Sequence, residues 1–130
     1  MTTLTLDPTQ RLNVIAALDR LECQGRREAW AICALQKKFD LDDEERTIIG
    51  WRKMIDPDTK REFAMWSNAP ALPPREYEVE DDDMVRIGKA LDNYGVILAR
   101  DRQWWEPLAA QLPIPQEQNG TQNAAVAVRN

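Results

Sequence analysis

The residues with most chemical potential form one acidic run. Glu76, Glu78, Glu80, Asp81, Asp82 and Asp83 place six carboxylates within eight positions. Such a run could hold a hard cation, mimic a phosphate backbone, or dock on a basic protein surface. The cation reading lacks the glycine and later glutamate of a calcium-binding loop. The plainer reading is a solvated strand edge followed by a helix start, where carboxylates favour the helix dipole. A second cluster, Asp40, Asp42, Asp43, Glu44 and Glu45, reads as a helix start in the same way.

Histidine is absent altogether. Triads, imidazole bases and most zinc sites depend on it, which points away from an enzyme. Paired acids could serve glycoside hydrolysis, but that chemistry needs a sugar cleft that short helices do not supply. Gly-rich phosphate loops and nucleophile elbows are also missing from the sequence. The expectation is a protein without catalytic residues, metal or cofactor. Cys23 and Cys33 are too few for a disulfide scaffold and are expected to be buried, reduced thiols.

Five tryptophans supply the other candidate chemistry, since exposed indoles anchor protein interfaces. Trp30 and Trp51 fall within helical patterns and are expected in the core. Trp66 borders a proline-rich segment. Trp104 and Trp105 are adjacent and point about 100° apart on a helix, so one of them could face a partner. The candidate binding set is therefore Trp66, Trp104 and Trp105 beside the acidic run.

These residues must be carried by short elements. Asp7-Pro8 opens a helix with Leu12, Ile15, Leu18 and Leu21 as its stripe and Gly25 as its stop. A second helix spans about Arg26 to Phe39. A third opens at Asp42, with Glu45 completing a capping box, and its apolar side runs through Ile48, Ile49 and Trp51 to Ile55. Pro57 ends it. Arg61–Trp66 is a short strand or a helical turn. Pro70, Pro73 and Pro74 stiffen a connection. Glu76–Glu80 alternates with period two, which predicts an edge strand with Tyr77 and Val79 inward. Pairing of Arg61–Trp66 with Glu76–Glu80 is expected. Asp81–Asp83 open a fourth helix that closes at Asn93-Tyr94-Gly95. Val96–Leu98 is a short apolar run, and Asp101 opens a last helix interrupted by Pro107. The fold class is mainly α with a minor hairpin-like β element, in one domain over 1–112 followed by a polar tail over 113–130.

The net charge of -5 disfavours direct nucleic-acid binding and anionic membranes, because basic residues are interleaved with acids and form no stripe. No segment reads as a signal peptide or membrane span.

The order of these features resembles small accessory proteins of tailed bacteriophages and prophages. The resemblance rests on Leu4-Thr5-Leu6 with Arg11-Leu12, Gly25, Leu41-x3-Glu45, the aromatic segment around Trp66, and the acidic strand leading into Ile87 and Leu91. Pro107 and the C-terminal tail depart from it. It implies no catalytic residues. It implies either an inhibitor or modulator of a host protein complex, of the defence type, acting in the bacterial cytoplasm, or a virion or assembly component ordered by its neighbours. A partner with a basic nucleic-acid-binding groove would suit the first.

Overall fold

The structure, a computed structural model, describes residues 1–94 and 99–113. The expected run at Val96–Leu98 and the tail beyond Pro113 lie outside the described residues. The mainly helical class is the one observed, with two small antiparallel β elements.

Chain order is β1 (Thr2–Leu6), α1 (Pro8–Leu18), α2 (Gly25–Phe39), α3 (Asp43–Ile49), β2 (Arg52–Ile55), β3 (Glu62–Met65), β4 (Arg75–Val79), α4 (Asp81–Asp92) and α5 (Arg102–Ala109). Short 3-10 turns lie at Ala69–Ala71 and Ala99–Asp101. Two capping boxes start helices where the sequence signals them. Asp7 accepts from the Gln10 backbone at 2.8 Å while the Gln10 side chain accepts from the Asp7 N–H at 2.9 Å. Asp42 and Glu45 repeat the arrangement at 2.8 and 3.1 Å.

The first helix is shorter than its stripe suggests. Residues three apart fall about 60° short of a full turn, so three such steps drift halfway round. The buried stripe instead alternates steps of three and four, through Gln10, Arg11, Val14, Ala17 and Leu18. Leu12 and Ile15 are only half-buried. Gly25 does not stop this helix. It opens the next one with a φ of 86°.

α3 also ends earlier than expected. Gly50 adopts a left-handed φ of 70°, and the Trp51 N–H returns to the Arg46 carbonyl at 2.9 Å. A Cβ at Gly50 would meet Ser67 Oγ at 2.7 Å. Arg52–Ile55 is therefore a strand, not the end of a helix, and it takes β3 as its partner through the tight Asp56–Arg61 turn. The expected pairing of Arg61–Trp66 with Glu76–Glu80 does not occur. β4 pairs with β1, from Thr2↔Val79 to Leu6↔Arg75. Both strands carry matching alternation, so Leu4, Leu6, Tyr77 and Val79 all bury on one face.

That face closes on a core built around α1, which packs against α2, α4 and α5. Ile32, Leu35 and Phe39 come from α2, Met84, Ile87 and Leu91 from α4, and Trp104 and Leu108 from α5. Within this core lies Arg11, only 1% exposed. Its guanidinium donates to the Phe39 carbonyl at 3.0 Å, to the Asp40 carbonyl at 2.9 Å, and to both Glu45 oxygens at 3.0 and 3.1 Å. A buried charge is tolerable because every arm of the fork has an acceptor.

Candidate functional site

The acidic run is split between two elements. Glu76 and Glu78 stand on the exposed face of β4, opposite Thr5 and Thr3 in register. Glu80 is the N-cap of α4, and Asp81, Asp82 and Asp83 fill its first turn. There they favour the positive end of the helix dipole, which is the structural role read from the sequence.

Three of the six carboxylates are engaged. Glu78 accepts from Thr3 Oγ1 at 2.7 Å, and Lys38 Nζ reaches the Glu78 backbone carbonyl. Asp81 accepts from Thr2 Oγ1 at 3.3 Å. Asp83 receives Arg86 Nη1 at 2.6 Å, and Arg86 also forks onto Glu28 at 2.9 and 3.1 Å. The hydrogen bonds from Arg86 draw the Glu28 carboxyl below its usual value, against the opposing effect of desolvation. Glu28 in turn pushes the Arg86 guanidinium further up. Among the described residues, Glu76, Glu80 and Asp82 form no ion pair or side-chain hydrogen bond. They are the carboxylates free to face another molecule.

The expected aromatic anchors are placed elsewhere. Trp104 is 9% exposed, its ring edge-on to Tyr94 at 6.2 Å. Trp105 is half-buried against the same core, and its indole N–H finds no acceptor among the described residues. Trp66 is half-buried and donates to Thr9 Oγ1 at 3.0 Å. The concavity lined by Glu80, Asp81, Asp82 and Asp83 is completed by Ala31 and Arg86 and contains none of these indoles.

Trp30 is the correction. It was expected in the core and is 76% exposed. It sits two residues before Ile32, about 200° round the helix from the buried face set by Ile32, Leu35 and Phe39. That angle was the signal available in the sequence. Arg26 and Arg27 flank the indole. Its neighbour Ala31 lines the acidic concavity. The structure therefore leaves an exposed indole between two arginines on the outer side of α2, using a tryptophan that sequence reasoning assigned to packing. Trp51 is half-buried, with the Arg46 guanidinium 4.7 Å above its ring.

The cysteines also differ from expectation. Both are free, but Cys23 lies exposed in the link between α1 and α2, and Cys33 is exposed on the outer side of α2. Among the described residues no group of three His, Cys, Asp or Glu side chains is placed to hold a metal ion. No described helix is long and apolar enough to cross a membrane. A concavity of about 570 Å³ near the start of α1 is lined by Asp7, Thr9, Pro70, Pro73, Arg100 and Trp104 among others. Asp7 there accepts the Gln10 N–H as the cap of α1.

Comparison of the chain with protein-family models, with curated proteins and with solved structures finds no match.

Proposed function

We propose that this chain is a non-enzymatic protein-binding module, an inhibitor or modulator that docks on a basic surface of another protein. The observation that carries the reading is Trp30, an indole left 76% exposed on the outer side of α2 in a molecule that also presents free carboxylates at the start of α4. An exposed indole is costly to leave unpartnered and is the residue type most enriched among binding hot spots. The free carboxylates at the start of α4 would attract a basic partner and speed encounter, while the indole, once covered, would set residence time. The likeness to phage accessory proteins suggests a host complex with a basic nucleic-acid-binding groove as the target. The second reading, a virion or assembly component, draws support from an exposed β arm described below.

The test is a parallel capture from host lysate and from purified virions, using the native chain, Trp30→Ala, and a double reversal, Glu80→Lys with Asp82→Lys. The expected result is a defined lysate partner whose complex dissociates at least tenfold faster with Trp30→Ala, equivalent to about 1.4 kcal/mol or more. The double reversal should slow association and flatten its salt dependence. A partner bound equally well by all three chains would refute the docking surface. Recovery from virions alone would favour the assembly role.

A further inference from the structure

The segment from Trp51 to Trp66 leaves the body as a two-stranded arm. Both strands are exposed along their whole length. In register, Arg52 faces Met65 and Met54 faces Phe63, so Met54, Phe63 and Met65 share one side of the ribbon. Phe63 is 45% exposed. An isolated two-stranded ribbon of this length is marginal in water, and its apolar side has no layer against it. The arm's root is firm, since the Ser67 and Asn68 N–H groups both bond the Ile49 carbonyl, at 3.1 and 2.9 Å.

The outer edge of β2 is where the ribbon is incomplete. The Asp56 N–H bonds the Arg61 carbonyl at 2.9 Å, which fixes the alternation. Asp56, Met54 and Arg52 direct their backbone groups to β3, and Lys53 and Ile55 direct theirs outward. Among the described residues no hydrogen bond reaches those outward groups. The other sheet is treated differently. There Gln111 covers β1 by accepting from the Thr5 N–H at 2.7 Å and donating to the Thr5 carbonyl at 2.8 Å, and Lys38 covers β4 at Glu78.

We infer that the free β2 edge pairs with β2 of a second copy of this chain, antiparallel about a two-fold axis at Met54. This goes beyond the docking surface at Trp30 and uses none of its residues. The register follows from charge. With Met54 on the axis, Lys53 lies opposite the second copy's Ile55, and these are the residues whose backbone groups face outward. Arg52 then lies opposite the second copy's Asp56, and the symmetry makes this pair twice. Both partners are available. Arg52 has no acceptor among the described residues. Asp56 uses only Oδ1, toward the Asp58 and Thr59 N–H groups at 2.8 and 3.3 Å. The same operation on β3, centred on Phe63, sets Arg61 against Met65 and Glu62 against Ala64, with no opposite charges matched. Pairing through β2 yields a four-stranded antiparallel sheet with Met54, Phe63 and Met65 of both copies on one face.

Sedimentation equilibrium over a range of concentrations tests this on the full chain. The native protein should move from one to two chains as concentration rises. Arg52→Glu should weaken the dimer roughly tenfold, because two attractive cross-strand pairs become repulsive. Asp56→Lys should weaken it similarly. An equimolar mixture of the two variants should restore it, since each mixed dimer regains opposite charges at both positions. Circular dichroism confirms that each variant is folded. In a Cys23→Ser, Cys33→Ser background, Met54→Cys should oxidise to a covalent dimer, because residues on the axis approach closely. A monomer at every concentration overturns the inference. So does a dimer indifferent to Arg52→Glu, or one cross-linked through Phe63→Cys and not through Met54→Cys.

Discussion

The two β elements are nearly equal in size and opposite in situation. The β1–β4 pair lays Leu4, Leu6, Tyr77 and Val79 against helices, and side chains cover its edges. The β2–β3 pair has a firm root and a well-formed turn but no core beneath it. A ribbon's strength therefore comes from what lies against its face, and turn chemistry alone fixes only its register. In the first pair a large side chain should be worth kilocalories to folding. In the second it should matter mainly to association.

The deepest break in this contrast should come from Arg11, whose guanidinium also stands 5.9 Å from the centre of the Tyr77 ring on β4. Arg11→Ala strands the Phe39 and Asp40 carbonyls and the Glu45 carboxylate, and should cost about 3–5 kcal/mol in chemical denaturation. Next comes a matched pair. Leu4→Ala should cost about 2–5 kcal/mol, whereas Phe63→Ala should cost about 0.5 kcal/mol or less when measured on the dilute monomer. Similar losses from both would mean that the arm is packed after all.

A pH series sharpens the role of the buried cation. Hydrogen bonds from Arg11 hold the Glu45 carboxyl below its usual range, outweighing desolvation. The stability this contributes is complete above the unfolded value of about 4.3 and is lost as pH falls through the lower folded value. Unfolding free energy should therefore drop more steeply between pH 5 and pH 3, on the order of these pKa values, in the native chain than in Glu45→Gln. Smaller still, Gln111→Ala should cost about 1 kcal/mol and open the β1 edge. Hydrogen exchange at Thr5 would read it directly.

The slightest effect belongs to the arm. Lys60 holds a φ of 62° in the turn, a conformation that asparagine accepts more readily. Lys60→Asn should raise protection of the arm's amides by a few tenths of a kcal/mol, about the size of a mild backbone preference, and leave the global transition unmoved.

The helix starts at Asp7 and Asp42 and the period-two run at Glu76–Glu80 were legible because each is a local signal of a few residues. So were the extent of α2 and the inward turn of Tyr77 and Val79. Gly50 was readable in principle as a stop, but the apolar run through Ile55 hid it. The partner of β4 was not readable locally. Thr2–Leu6 alternates as clearly as β4 does, yet it lies about seventy positions away, and the nearer Arg61–Trp66 segment drew the pairing. Arg11 was invisible for a related reason, since its acceptors come from α2, α3 and the link between them. At the candidate site, the acidic residues and their junction of strand and helix were foreseen. The indole was not, because Trp30 was placed by its apolar character and not by its angle to Ile32.

The clasp of Gln111 on Thr5 joins residues 106 positions apart. During synthesis β1 is made well before the groups that finish its two sides. Its ladder partner begins only at Arg75, and the amide that seals the opposite side emerges near the end of the described chain. At typical rates of ribosomal elongation that leaves the β1 edge open for roughly 5–20 s. A nascent chain of this kind depends on its three threonines, Thr2, Thr3 and Thr5, to keep the waiting strand half polar until Gln111 arrives.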